Sequence, residues 1–136
     1  MQKLRLALIA LVVALVLFGL GYGWGASGRG ALERSLDGAR QEAEMAQARG
    51  LLLDARVSLY NMNFGDASRH FEDAKVPLRR AQQRLADSGD ADRARSIGTA
   101  LERVDEAQRL AGKLDQAANS KAGEALDAIK VATSES

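Results

Sequence analysis

The sequence predicts an all-α protein: an N-terminal transmembrane helix, then a long stalk helix, then a small antiparallel helical bundle. Three observations predict it. An almost uncharged apolar stretch opens the chain. Apolar residues in steps of four and three run through its middle, the period of a helix packed along a narrow stripe. No segment alternates apolar and polar residues as a half-buried strand does.

Lys3 and Arg5 precede a run from Leu6 to Leu20 without a polar side chain. Continued to Trp24, the run makes about 28 Å of helix at 1.5 Å per residue, close to a hydrocarbon core of about 30 Å. Leu6, Leu11, Leu15 and Phe18 mark the apolar span, and Tyr22 and Trp24 fall where an interfacial aromatic belt sits. A cleaved signal peptide is the rival reading. Gly23 with Gly25, or Gly25 with Ser27, satisfies a small-x-small cleavage pattern. The long apolar core and the lack of an Ala-x-Ala site fit an uncleaved anchor better.

Lys3 and Arg5 argue for a cytoplasmic N-terminus, although Arg29, Arg34 and Arg40 follow the span. The short basic tail places the C-terminal domain outside the cytoplasm. In a bacterium, that means an inner-membrane protein facing the periplasm. Gly19, Gly21, Gly23 and Gly25 contain two GxxxG spacings, which permit close helix approach. Their place at the end of the span reads first as a flexible exit. The expected organisation is an anchor at 1–25, a Gly-rich linker at 26–30, a stalk at 31–49, a bundle at 50–132 and a frayed tail at 133–136.

Leu32, Leu36, Ala39, Ala43, Ala46, Gly50, Leu53, Val57, Tyr60 and Phe64 follow 4-3 steps without an error. Residues 31–49 are therefore read as a stalk of up to about 28 Å if straight, with Gly38 and Gly50 as places for a bend. From about residue 45 a second row, Met45, Leu52 and Leu59, widens the stripe, as happens where a helix enters a multi-helix core. Asn61 to Gly65 is the clearest break, with Asn63 and Gly65 suited to left-handed backbone and Asp66 to capping the next helix. That helix carries Ala67, Phe71, Ala74, Leu78, Ala81 and Leu85 on one face. Pro77 is expected to kink it or to end it near Lys75. After a turn at Ser88 to Asp90, a third helix is expected from Ala91 to Ala118, with Leu101 and Leu114 among its inward residues. Asn119 and Ser120 then cap a fourth, which buries Ala122, Ala125, Leu126 and Ile129. The predicted structural seam sets Leu53, Val57, Tyr60 and Phe64 against Ala67, Phe71, Ala74, Leu78 and Leu85.

Phe64, Ala67, Phe71 and Ala74, with Ala55 on the preceding helix, resemble the spacing of a single tetratricopeptide-repeat unit over residues 50–77. Ser58 and Asp54 depart from the family pattern, Pro77 lies beside the usual closing proline, and Phe64 maps to Gly98 one period on. The resemblance implies one helix-turn-helix hairpin that recognises protein, and not a repeat array, which needs about three units.

Little here suggests chemistry. The chain has no cysteine, which excludes disulfides, thiol catalysis and cysteine metal sites. The net charge of +1 offers no field for nucleic acid. His70, the only histidine, is expected to be solvated, and it lacks partners at metal-ligand spacing. Glu102 and Glu106 share a helix face with no histidine nearby, and no phosphate loop, nucleophile elbow or HExxH occurs. Lys75, Arg79, Arg80 and Arg84 form the densest basic cluster, a candidate contact for anionic lipid or an acidic partner, or an ordinary charged surface. The sequence thus implies a non-enzymatic adaptor that needs no cofactor and contacts lipid, an unidentified protein and, in a coiled-coil alternative, its own copies.

Overall fold

The computed structural model describes the backbone of residues 2–134 and the side chains of residues 30–134. Among these residues the chain is all-helical: α1 (Gln2–Tyr60), α2 (Phe64–Asp87), α3 (Ala91–Ala111) and α4 (Ala117–Ser134). It divides into two compact units, Met1–Ala39 and Arg40–Ser136.

The described residues of the first unit all belong to α1, and its Leu32 and Leu36 are exposed. Among the described residues no helix is long and apolar enough to cross a membrane. The anchor expected at 1–25, with Leu6, Leu11, Leu15, Phe18, Tyr22 and Trp24, lies outside the residues whose side chains are described. The expected linker at 26–30 falls within the bounds of α1.

In the second unit four helices close into an up-and-down ring, as short turns between amphipathic helices favour. Polar contacts fix each pairing. Arg84 on α2 reaches Glu44 on α1 at 3.1 Å. Lys75 on α2 meets Asp105 on α3 at 2.7 Å, and Arg103 on α3 meets Glu124 on α4 at 3.1 Å. The ring closes where Arg49 and Arg56 on α1 donate to Thr133 and Asn119 on α4. In each pair of helices that makes two such contacts, numbers rise on one helix as they fall on the other, so these neighbours are antiparallel.

One core fills this ring, and alanine is its commonest residue. Small side chains let helix axes approach closely, while Met45, Leu52, Leu59, Phe71, Leu78, Leu85, Ile97, Val104 and Ile129 fill the space between layers. Bundle packing on α1 therefore begins before residue 50: Met45 and Ala48, expected in the stalk, are buried. The reason is the second apolar row. Met45, Ala48, Leu52, Ala55 and Leu59 face the core, and the longer first row does not.

Each helix end has a local cause. The α1–α2, α2–α3 and α3–α4 turns share one arrangement, in which an amide bonds back to the carbonyl five residues earlier: Asn63 to Ser58, Asp90 to Leu85 and Asp115 to Leu110. This Schellman closure places the preceding residue in left-handed backbone. Those residues are Met62, Gly89 and Leu114, with φ of 59°, 82° and 57°. Left-handed backbone thus falls on Met62, and not on Asn63 or Gly65. Asn63 caps α2 by accepting from the Asp66 amide, so Asp66 is the third helical residue and not the cap. The same closure ends α3 at Ala111, short of the expected Ala118, and α4 begins at Ala117, ahead of Asn119 and Ser120. It also turns Leu114 outward.

Pro77 does not end α2, which continues to Asp87. An interior proline costs about 3 kcal/mol, whereas each large apolar side chain buried beyond it contributes about 1.5–3 kcal/mol. Leu78 and Leu85 are both buried past Pro77. Their burial outweighs the lost hydrogen bond.

Candidate functional site

The bundle leaves an apolar face open along the outer side of α1. Leu53 is 51% exposed, Val57 59% and Tyr60 83%, although the sequence sets all three against Phe71, Leu78 and Leu85. The remaining seam residues, Phe64, Ala67, Phe71, Ala74, Leu78 and Leu85, are buried as a group. Helical geometry explains the division. At 100° per residue, the row through Leu53, Val57 and Tyr60 points roughly 130° away from the row through Leu52, Ala55 and Leu59. One helix cannot turn both rows into the same core.

An open groove of about 330 Å³ runs beside this face, lined by Leu53, Arg56, Val57, Tyr60 and Asn119. Arg56 donates through Nε to Asn119 Oδ1 at 2.7 Å and so bridges α1 to α4 along the groove floor. A charge-assisted bond of this kind holds the arginine's apolar stem against the helix surface. The groove therefore has a polar rail and apolar walls.

At the end of the ring where α1 meets α2 and α3 meets α4, two more large apolar side chains are exposed. Met62 is 58% exposed and Leu114 69%, and Gln116 Nε2 donates to Met62 Sδ, which ties the two turns together. Both residues occupy the left-handed position that favours glycine. Left-handed backbone costs a side-chain-bearing residue about 1–2 kcal/mol. The α2–α3 turn, at the opposite end, uses Gly89 there. Replacing Leu114 with Gly is expected to raise stability by up to about 1 kcal/mol, since relief of strain exceeds the added freedom of the unfolded chain. Urea unfolding followed by helical circular dichroism measures it. A lower midpoint would mean that Leu114 makes a stabilising contact.

The basic cluster is divided by the fold. Lys75 is only 6% exposed, with Nζ at 2.7 Å from Asp105 and 2.9 Å from Glu72. It is thus not available to a lipid or a partner, contrary to its expected place beside Arg79, Arg80 and Arg84. Arg84 is engaged with Glu44, and Arg79 and Arg80 are exposed. Burial alone would lower the Lys75 pKa, but hydrogen bonds and charge from Asp105 and Glu72 outweigh it and raise the pKa above its ordinary value. The hydrogen bond from Lys75, followed by one from Gln108, holds Glu72 below the usual value of 4.5.

The two shifts define a pH window. A depressed carboxylate stabilises the fold above its unfolded pKa and loses that contribution as pH falls through its folded pKa. A raised lysine contributes fully below its unfolded pKa and loses it as pH rises through the folded one. The advantage of the wild-type chain over Glu72→Gln should therefore be complete at about pH 7 and be lost as pH falls below 4.5 and through the depressed folded-state pKa of Glu72. Urea midpoints measured across that range check it, and a constant difference would exclude the Glu72 charge as its source.

His70 is half-buried, and its Nδ1 is buried without a hydrogen-bond partner, so the fully solvated state expected of it does not hold. Among the described residues no three His, Asp or Glu side chains converge as metal ligands. The positions that resemble a tetratricopeptide unit, Ala55, Phe64, Ala67, Phe71 and Ala74, are all buried. Their role is packing at the α1–α2 hairpin. Leu114 escaped the sequence reading because it was assigned by period to the inward row of the third helix, and Met62 because it lay in the break from Asn61 to Gly65, where left-handed backbone was expected on other residues; their only signal was the lack of a glycine where a helix must end. No protein-family model, curated protein or solved structure matches the chain.

Proposed function

We propose that the protein is a single-pass membrane-anchored helical adaptor that performs no catalysis and presents its bundle to another protein. The observation that carries this reading is the exposed apolar face of α1, with Leu53, Val57 and Tyr60 lining the groove, together with exposed Met62 and Leu114 in the turns. Contiguous exposed apolar surface costs solubility, and where it is rimmed by polar residues it marks interaction sites. Two of these residues also sit in strained backbone that glycine would relieve, and retained strain of this kind clusters at binding surfaces. The apolar N-terminal sequence supports a tether in the bacterial inner membrane with the bundle in the periplasm.

The test has two parts. Alkaline carbonate should leave the full chain with the membrane pellet. A photo-reactive residue at position 57, in cells, should form a discrete adduct that a residue at position 95, on α3, does not form. Release into the aqueous fraction would remove the tether, and equal labelling at both positions would remove the interaction face.

The regular heptad row favours a second reading, a coiled-coil structural oligomer at the membrane surface, because heptad spacing is a requirement of helices that wind around one another.

A further inference from the structure

Ala43, Ala46, Gly50, Leu53, Val57 and Tyr60 on α1 follow heptad steps, and all six are exposed. The bundle core draws on a different row of the same helix, Met45 to Leu59. Folding of the bundle therefore does not require the first row, yet that row is the longer of the two. In the sequence its steps reach back through Ala39 and Leu36 to Leu32 without interruption. An ideal straight helix drifts about 20° per heptad from such a repeat, so a sustained seven-residue period is kept only where a partner helix follows it.

We propose that a second copy of this chain covers the row, the two α1 helices forming a parallel, in-register coiled coil. This deepens the second reading above and names its occupant. A two-fold pair apposes the same patch on both molecules, so the row must complement itself, and its shape and charge do so. Gly50 and the alanines allow close approach, while Leu53, Val57 and Tyr60 supply bulk. Val57 sits where a β-branched residue favours two strands.

Flanking charges select the orientation. Positions preceding the first apolar seat of each heptad hold Glu42, Arg49 and Arg56, and those following the second hold Gln47, Asp54 and Asn61. Parallel pairing sets the first group against the second of the other copy, five residues on. Glu42 then meets Gln47, Arg49 meets Asp54 and Arg56 meets Asn61. One pair attracts, and no like charges meet. The rest of the bundle does not block access. Glu44 reaches α2, and Arg49 and Arg56 reach α4; both neighbours lie toward the buried row.

Because the chain lacks cysteine, single cysteines report proximity cleanly. Full-length Leu53→Cys and Val57→Cys, in native membranes treated with copper phenanthroline, should each form a disulfide-linked dimer at least tenfold more than Asp73→Cys on α2 or Arg95→Cys on α3. Adding Leu53→Glu to Val57→Cys should lower that yield at least tenfold with unchanged helical circular dichroism, since residue 53 is exposed in the single chain. Equal yields at all four positions, or none at 53 and 57, would overturn the proposal. Preferential pairing of 53 with 57, and not with itself, would overturn the parallel register. The photo-adduct at position 57 separates this proposal from the adaptor reading. A heterologous protein without self-dimer overturns the pair and leaves the adaptor. A self-dimer alone supports the pair and removes the adaptor, and no adduct of either kind removes both.

Discussion

Phe71→Ala is expected to destabilise the bundle by about 3–5 kcal/mol. Phe71 is the largest fully buried side chain among the described residues. It sits on α2 inside a core where most neighbours along the helices are alanines. Small neighbours fixed by close-packed backbones cannot swing into the space a ring leaves behind. The loss therefore combines the transfer free energy of the ring with a cavity term that scales with unrelaxed volume. A domain of this size is stable by about 5–15 kcal/mol, so the change would consume a large share of that margin. Chemical unfolding of the two full-length chains in the same detergent measures the difference. A shift below about 1 kcal/mol would show that the α2 register, or the burial of Phe71, is wrong.

Leu52→Ala and Leu53→Ala should behave very differently, although they change neighbouring residues in the same way. Leu52 is fully buried and is expected to cost about 2–5 kcal/mol. Leu53 is exposed in the single chain, and substitutions at such sites usually stay within about 0.5 kcal/mol. The pair isolates which row of α1 enters the core, because helix propensity and chain position are the same for both. Equal costs near 2 kcal/mol or more would mean that the exposed row packs within the molecule. Under dimeric conditions Leu53→Ala should instead weaken association and make the melting temperature depend less steeply on protein concentration, as linkage requires.

Much of the architecture was legible before any coordinates. Four helical segments, their amphipathic faces and the turns near Asn61 and Ser88 follow from spacing; that Asp90 in the second turn caps α3 is a finding of the structure. Inward positions on α2, such as Phe71 and Leu85, are buried where the period sets them. On this helix a single apolar row exists, so periodicity leaves one choice. On α1 two heptad rows exist, and periodicity cannot rank them. Regularity pointed to the row through Leu53, whereas the core took the row through Leu52. Lys75 shows a related limit: a lysine between charged neighbours reads as surface, and only the approach of Asp105 from another helix makes its burial tolerable.

By itself the sequence determined the helical class, the number of helices in the bundle, the absence of thiol chemistry and the lone apolar run at the N-terminus. Each of these depends on composition or on neighbours along one helix, where the geometry of the backbone is known in advance. Tertiary structure alone decided which face of α1 is inside, where α3 stops, why Pro77 is tolerated and how the basic cluster is divided. These outcomes depend on what a second helix brings to the first. Burial free energy belongs to pairs of surfaces, and a single strip of sequence records only one member of each pair.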